Sequence, residues 1–271
     1  MTSLVNSEWL FEHLNNPDLI ILDASPKSTV AKIEPAYKDV FIKGTRKIKK
    51  ANFADKASPY PNTIVDPSSF EEEVRKLGIN KDSIIVVYDN LGIYLSPRIW
   101  WMFKLMGHEN IAVLDGGLTA WVESGYPTSK ELVVPKEFGD FEAHYTESLF
   151  RKTDDVKKNI ESAEELIIDA RSEGRFSGKA PEPRPNLKSG HIPKSRNIPF
   201  GNVLRDGKMK SKEELKKIFA AYMDHPLVFT CGSGTTACIL MLAADQITEQ
   251  SLSIYDGSWS EWAAREDCPI V

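Results

Sequence analysis

The chain has 271 residues, with 34 lysines and arginines against 39 aspartates and glutamates, and a formal net charge of −5 at pH 7. This length suits two domains, and 41% hydrophobic residues give each a core, which excludes wholesale disorder. The acidic balance argues against nucleic acid as a partner, and no apolar run approaches the roughly 20 residues of a membrane span. The first residues resemble neither a signal peptide nor a transit peptide, so we expect a cytoplasmic protein, with mitochondrial import as the alternative.

The predicted elements occur twice along the chain. Three apolar runs, each ending in a polar residue, recur in the same order at separations of 146, 142 and 141 residues. The matched residues are Asp23 with Asp169, Asp89 with Cys231, and Asp115 with Asp256. Such repetition indicates a duplicated domain. We predict an N-terminal domain over residues 1–128, a linker over 129–149 and a C-terminal domain over 150–271.

Each half alternates buried strands with amphipathic helices. Apolar runs without polar alternation are typical of parallel strands that are covered on both faces. Asp66-Pro67 marks the start of one helix, and Ser211 precedes another that carries Leu215, Ile218, Phe219 and Tyr222 on one face. The pattern therefore predicts an α/β fold, with an open and mainly parallel sheet flanked by helices in each half.

Cys231 is the leading candidate for chemistry. It follows a predicted strand and precedes Gly232-Ser233-Gly234-Thr235-Thr236, with a helix beginning near Cys238. Ligands bind at the carboxyl ends of strands in open α/β sheets. Loop amides and a helix N-terminus together stabilise an anion, so we expect a nucleophilic thiolate rather than a packed thiol. The matching residue in the first half, Asp89, lacks thiol chemistry, so that half is predicted to be non-catalytic.

A cysteine phosphatase was considered for the same loop. Those enzymes place an arginine six positions after the cysteine to bind the phosphate oxygens. Ala237 occupies that position here, and the loop carries no cation. A phosphatase is therefore not expected.

Several segments together resemble a known family. These are Cys231-Gly232-Ser233-Gly234, the segment from Tyr255 to Trp262 (YDGSWSEW) and the segment from Ser96 to Trp101 (SPRIWW). They are similar to tandem-domain rhodanese-type sulfurtransferases, above all to the branch that uses 3-mercaptopyruvate. The resemblance covers nearly the whole chain and implies two rhodanese-like domains.

The resemblance also implies a reaction and its residues. Cys231 would take sulfur from 3-mercaptopyruvate as a persulfide, release pyruvate and pass the sulfur to a thiol such as thioredoxin or a small dithiol. Arg175 and Arg184 would bind the donor, because guanidinium groups suit its carboxylate and carbonyl. The alternative for both is a weak surface ion pair with Glu173 or Glu182.

The loop residues after Cys231 complete the predicted site. Ser233 either donates a hydrogen bond or relays a proton, or is simply a small residue that suits the loop. Some relatives connect this serine to a histidine, but the comparable segment here runs through Pro61-Asn62 without one. Gly232, Gly234, Thr235 and Thr236 are assigned to substrate binding, although Thr235 stands where the family usually has valine.

Other reactive residues receive structural interpretations. The five histidines show no metal-ligand spacing, so no metal or cofactor is expected, and His191 is predicted to brace a loop. Cys238 and Cys268 are predicted to be packed thiols. Asp115 and Asp256 are predicted to bond their own local backbone.

Two further functions remain open from the sequence. The same thiol suits transfer from thiosulfate to cyanide, although relatives that prefer thiosulfate carry basic residues where this chain has Gly232 and Ser233. A non-catalytic sulfur carrier or regulatory module is the third possibility, because accepting sulfur requires only the loop.

Overall fold

The computed structural model describes residues 1–27 and 34–271, which form two compact units. The first unit comprises Met1–Ala54, Val65–Thr146 and Asp206–Met209, and the second comprises Asp55–Ile64, Glu147–Arg205 and Lys210–Val271. The segment 55–64 therefore folds with the second half of the chain, although it lies in the first half of the sequence.

The secondary structure alternates strands and helices in both halves. Up to residue 146 the elements are β1 Leu4–Val5, α1 Ser7–His13, β2 Leu19–Asp23, β3 Phe41–Ile42, β4 Arg46–Lys47, a 3-10 helix Lys50–Phe53, α2 Pro67–Lys76, β5 Ile84–Tyr88, α3 Ser96–Leu105, β6 Ile111–Leu114, α4 Gly117–Glu123 and β7 Thr128–Ser129. From residue 147 they are a 3-10 helix Glu147–Leu149, β8 Phe150–Arg151, α5 Thr153–Ser162, β9 Leu166–Asp169, α6 Glu173–Phe176, β10 Arg196–Asn197, a 3-10 helix Phe200–Val203, β11 Leu204–Arg205, β12 Lys208–Met209, α7 Lys212–Phe219, β13 Leu227–Thr230, α8 Ala237–Asp245, β14 Leu252–Tyr255 and α9 Ser258–Trp262.

A parallel sheet forms the centre of each unit. In the described part of the chain the strand orders are β1-β6-β5-β2-β4 and β10-β9-β13-β14-β8, and every neighbouring pair is parallel. In the second sheet Phe229 pairs with Ile168 on one side and Ile254 on the other. Corresponding strands occupy corresponding positions, which confirms the predicted repeat and the predicted parallel α/β fold.

Two helix starts agree with the capping signals. Asp66 accepts a hydrogen bond from the Ser69 amide at the start of α2. Ser211 and Glu214 form a reciprocal capping box at the start of α7. The α7 helix ends at Phe219, so Tyr222, which was predicted to share its face, lies beyond the helix in a turn.

The segment predicted as a linker has structure at both ends. Thr128–Ser129 pairs antiparallel with Phe41–Ile42, and the residues up to Thr146 belong to the first unit. Residues 147–149 form a 3-10 helix of the second unit.

The core of the second unit positions its candidate loop. All four residues of β13 are buried, and α8 is buried from Ala237 to Ala244 and packs against β13 and β14. Because both elements are fixed in the core, the loop between them has two anchored ends. Among the described residues, no helix has the length and apolar character needed to cross a membrane.

Candidate active site

Cys231 lies at the carboxyl end of the central strand of the second unit. It follows Thr230, the last residue of β13, and its loop leads to the first turn of α8. The residue is 2% exposed, whereas Gly232 and Ser233 are partly exposed. The amide of Trp259 donates to the Cys231 carbonyl at 2.9 Å. The thiol therefore lies just beneath a loop of small residues.

The corresponding loop of the first unit surrounds a carboxyl group of its own. The Asp89 carboxylate accepts hydrogen bonds from the amides of Leu91, Tyr94, Leu95 and Ser96 and from the Ser96 hydroxyl, at 2.8 to 3.0 Å. Burial raises the pKa of Asp89, and the hydrogen bonds from Ser96 and Tyr94 act in the opposite direction. Since amides only donate, this loop is arranged around a negative charge.

The repeat identifies the equivalent amides around Cys231. At the separation of 142 residues that relates Asp89 to Cys231, three of the amide donors correspond to those of Ser233, Thr236 and Ala237. Within residues 1–27 and 34–271, these three amides make no hydrogen bond. The second unit thus keeps the donors that its duplicate uses to hold a carboxylate.

Ser258 fixes the backbone of the Cys231 loop through hydrogen bonds. Its hydroxyl oxygen accepts from the amides of Cys231 (3.2 Å) and Gly234 (3.0 Å) and donates to the Tyr255 carbonyl at 2.9 Å. Its φ of 51° is left-handed, a conformation that is costly for a serine. The first unit has Gly117 there, at φ 55°, where a side chain would collide with the adjoining backbone. In the second unit Ser258 takes the position of this glycine, and its hydroxyl accepts hydrogen bonds from two loop amides.

Replacing Ser258 with alanine should loosen this loop. The variant removes the hydroxyl that accepts from the buried amides of Cys231 and Gly234, and the loss of these hydrogen bonds should lower the free energy of unfolding by about 1–3 kcal/mol. Iodoacetamide should also alkylate Cys231 faster, because the thiol is buried only while the loop is closed. Denaturant unfolding and the alkylation rate measure the two effects.

Ser253→Ala is the matched control for that experiment. Ser253 is also a buried serine, but its hydroxyl makes one long hydrogen bond of 3.5 Å to Leu227. An equal loss of stability in both variants, with no change in alkylation, would contradict the role given to Ser258.

Arg175 lies beside the loop and is held there by a buried carboxylate. Its Nε and Nη2 donate to the two oxygens of Glu182 at 3.1 and 2.5 Å. The Glu182 side chain is only 2% exposed, so this is not the weak surface pair considered from the sequence. A Cβ added at Gly232 would stand 2.9 Å from the Arg175 guanidinium. Gly232 thus leaves room for the arginine against the backbone of the loop.

A second arginine supports Glu182 from the interior. The fully buried Arg171 donates from Nη1 to Glu182 and from Nε and Nη2 to Asp169. It also donates to the Gly190 carbonyl and stacks over the Trp259 ring at 4.2 Å. With each of its groups occupied, Arg171 fixes the carboxylate that orients Arg175.

Arg184 is the third guanidinium near the loop. Its Nη1 donates to the Ser260 hydroxyl at 3.2 Å, and that hydroxyl donates to the Gly232 carbonyl at 2.5 Å. Burial lowers the pKa of Arg184, while the charge of Cys231 acts in the opposite direction. Among the described residues, no carboxylate lies within 4.0 Å of this guanidinium.

The charged side chains near Cys231 carry a net positive charge. They are the three guanidiniums of Arg171, Arg175 and Arg184 and the two carboxylates of Asp169 and Glu182. The excess of one positive charge is next to Cys231. A thiolate or a bound carboxylate would balance it.

Ser233 is contacted by a residue from the first half of the sequence. The Asn62 side-chain amide donates to the Ser233 hydroxyl at 2.9 Å and to the Ser233 carbonyl at 3.1 Å. The neighbouring Ile64 amide donates to the Asp256 carboxylate at 2.9 Å, which anchors the segment 55–64 within the second unit. The position that lacks a histidine is therefore occupied by a hydrogen-bonding asparagine.

Most of the structural interpretations agree with the contacts. His191 bonds the Phe176 carbonyl through Nδ1 and stacks on the Phe176 ring, so it braces α6. Cys238 and Cys268 are both buried.

Two aspartates have long-range partners that the sequence did not indicate. Asp115 accepts from the Met209 amide and Asp256 from the Ile64 amide, so each carboxylate bonds a distant segment. Asp115 also has the predicted local bond, from the Gly116 backbone. Their carboxylates point to backbone that reaches them only in the folded unit. Local sequence spacing does not reveal such partners.

Comparison with known proteins agrees with this geometry. The rhodanese-like domain family matches residues 6–124 and 152–265. The chain is 34% identical to the 3-mercaptopyruvate sulfurtransferase of Escherichia coli strain K12, with 99% of this chain and 98% of the relative covered. It is 39% identical to the thiosulfate sulfurtransferase of Bos taurus, with 97% and 92% covered.

A solved structure gives the same result. The crystal structure of SseA from Escherichia coli, described as a 3-mercaptopyruvate sulfurtransferase of rhodanese fold, superposes with a TM-score of 0.84 at 32% identity, covering 96% of this chain and all of that one. Both halves of the present chain thus match in sequence and in fold, and we conclude that it belongs to the rhodanese family of sulfurtransferases, with two rhodanese-like domains.

Proposed function

We propose that the protein transfers sulfur from 3-mercaptopyruvate to a thiol acceptor through a persulfide on Cys231. The observation that carries the proposal is the excess positive charge of Arg175 and Arg184 next to a cysteine whose loop keeps three amide donors. The donor molecule is an anion with a carboxylate beside a carbonyl. Guanidinium groups bind both.

The first half of the reaction forms the persulfide. The Cys231 thiolate attacks the sulfur of 3-mercaptopyruvate, so a sulfur–sulfur bond forms while the carbon–sulfur bond breaks. The electron pair of that bond leaves with the three-carbon fragment as the enolate of pyruvate, which takes a proton from water. Arg184 and Arg175 hold the carboxylate and carbonyl during this step, so charge that develops on the carbonyl oxygen is stabilised in place.

The bonds of Asp89 support a role for the equivalent loop amides in binding the product of that step. An ionised persulfide places its outer sulfur one bond beyond Sγ, as a carboxylate oxygen stands one bond beyond Cγ. The amides of Ser233, Thr236 and Ala237 correspond to donors that bind the Asp89 carboxylate. We assign these amides to the stabilisation of the Cys231 persulfide.

The second half of the reaction transfers the outer sulfur to another thiol. A thiolate of thioredoxin or of a small dithiol attacks it, and Cys231 leaves as a thiolate. The partly exposed loop residues Gly232, Thr235 and Thr236 would border the incoming molecule. Three free cysteines suit a reducing compartment, and we propose the cytoplasm.

Thiosulfate is the second candidate donor. The 39% identity to a thiosulfate sulfurtransferase favours it, since this exceeds the identity to the bacterial 3-mercaptopyruvate enzyme. Thiosulfate carries two charges and no carbonyl, however, and the residues directly after Cys231 are uncharged. We therefore expect the higher kcat/KM with 3-mercaptopyruvate.

The test combines mass spectrometry with kinetics. Incubation of the wild-type protein with 3-mercaptopyruvate should release pyruvate and add one sulfur atom, mapped to the peptide that contains Cys231. A higher kcat/KM with thiosulfate would replace the proposed donor with the alternative. A protein that gains sulfur only from another enzyme, and releases no pyruvate, would instead be a carrier.

A further inference from the structure

We infer that Asn62 is a positioning residue that fixes the direction in which the Ser233 hydroxyl donates its hydrogen. This inference rests on the proposed function, because it concerns the donor bound at Cys231. It starts from the two hydrogen bonds between Asn62 and Ser233. Their geometry determines which atom of each side chain is the donor.

The orientation of the Asn62 amide is set by the backbone of the loop. Its nitrogen lies 3.1 Å from the carbonyl oxygen of Ser233, and a carbonyl oxygen only accepts hydrogen bonds. An amide turned the other way would put two acceptor oxygens in contact. The group that lies 2.9 Å from the Ser233 hydroxyl is therefore the N–H donor.

The hydroxyl must then accept from Asn62. A serine hydroxyl has one hydrogen to donate, and here that hydrogen cannot be directed to Asn62. Among the described residues, no other group bonds the Ser233 hydroxyl. Ser233 is partly exposed and lies two residues after Cys231, so its hydroxyl hydrogen is available to 3-mercaptopyruvate bound at that cysteine. In this position the hydroxyl stabilises the carbonyl oxygen of 3-mercaptopyruvate as the enolate forms.

The segment that carries Asn62 is built to hold this position. Asn62 has a left-handed φ of 65°, which asparagine tolerates better than most residues. On either side of it, the Asp55 amide donates to the Thr63 carbonyl at 2.7 Å and the Ile64 amide donates to the Asp256 carboxylate. The side chain is also neutral, so its hydrogen bond does not change with pH.

The test is to reverse the hydrogen bond with Asn62→Asp. The new side chain has nearly the same shape and the same tolerance of left-handed φ. Its carboxylate can no longer donate to the Ser233 carbonyl, and it accepts the hydrogen that the Ser233 hydroxyl would give to 3-mercaptopyruvate. At neutral pH we expect kcat for pyruvate release to fall about 100- to 1000-fold, the loss typical of one missing donor to a developing oxyanion. As the pH falls and the carboxylate is protonated, kcat should recover relative to wild type.

Other ionisable groups near Asn62 and Ser233 do not affect the comparison of the wild-type and Asn62→Asp pH profiles. These groups are Cys231, Arg175, Arg184, Glu182 and Asp256 around the loop, and Asp55, Lys56 and Tyr60 on the segment that carries Asn62. All of them are present in both proteins. The ratio of the two pH profiles therefore reports the introduced carboxylate.

A double-mutant cycle separates this role from general support of the fold. In a Ser233→Ala background, Asn62→Asp should have little further effect on kcat, because the hydroxyl that it misdirects is gone. Asn62→Ala removes the donor without reversing the bond, so its loss should be smaller and independent of pH.

The possible outcomes are distinct. A wild-type pH profile for Asn62→Asp, or an equal loss with and without the Ser233 hydroxyl, overturns the inference while the proposed function stands. A wild-type protein that releases no pyruvate overturns the proposed function, and this inference with it. Recovery of activity at low pH in the same sample shows that the variant is folded.

Discussion

Replacing Cys231 with serine should reduce pyruvate release from 3-mercaptopyruvate by about 10⁴-fold or more. The hydroxyl is a far weaker nucleophile at neutral pH than a thiolate, and it forms no persulfide. The fold should persist, because serine fills nearly the same volume at a position that is 2% exposed. The measurements are pyruvate release under saturating donor and the intact mass, which should show no added sulfur.

Cys268→Ala is the control for the loss of a thiol. Cys268 is buried in a core cluster with Val156 and Trp262, and burial raises the pKa of its thiol. This variant should keep its turnover and gain one sulfur atom, as the wild-type protein does. Turnover by Cys231→Ser comparable with that of Cys268→Ala would rule out Cys231 as the nucleophile.

Arg184→Ala should raise the KM for 3-mercaptopyruvate about 10- to 100-fold. This factor corresponds to the free energy of one charge-assisted hydrogen bond to a carboxylate. The effect is large because no carboxylate within 4.0 Å neutralises Arg184 in the described part of the protein. Its charge is therefore available to a bound anion. Steady-state kinetics with separate kcat and KM measure the effect.

Two further variants define what is lost. Arg184→Lys keeps the charge but loses the planar pair of donors, so its KM should lie between wild type and Arg184→Ala. Arg196→Ala removes an exposed arginine from β10 and should leave KM unchanged. An unchanged KM in Arg184→Ala would show that donor binding does not depend on this residue, as expected for a passive sulfur carrier.

The comparison of the two loops explains how one half differs from the other. Both have a tight turn, amide donors and a following helix, and both end a central parallel strand. In the first half the Asp89 carboxyl group itself accepts from the loop amides, so these donors are already occupied. In the second half Cys231 leaves the equivalent donors available, and Arg175 and Arg184 are adjacent.

Predictions from the sequence were most accurate where the signal is local. Apolar runs predicted the strands, because a parallel sheet covered on both faces buries every residue of a central strand. The caps Asp66 and Ser211 predicted helix starts, because their side chains bond amides three residues away. Repetition of these local signals predicted the duplicated α/β fold.

The roles of other residues depend on partners far along the chain. Asn62 and Ser233 are separated by 171 residues, and Ile64 and Asp256 by 192. Glu182 looked like a surface partner for Arg175, yet Arg171 and burial make it the fixed carboxylate that orients that arginine. The Asp-Gly sequences at Asp115 and Asp256 suggest local turns, and they give no sign of the long-range hydrogen bonds from Met209 and Ile64.

Residue types and their spacing were enough to predict the duplicated α/β architecture and the position of Cys231 at a strand end, because strands and helix starts depend on residues close in the chain. The available amides around Cys231, the bonds from Ser258 to its loop and the contact of Asn62 with Ser233 could be seen only in the folded protein. Hydrogen bonds between distant segments depend on the register and packing of strands and helices, and these are fixed only when the whole core forms.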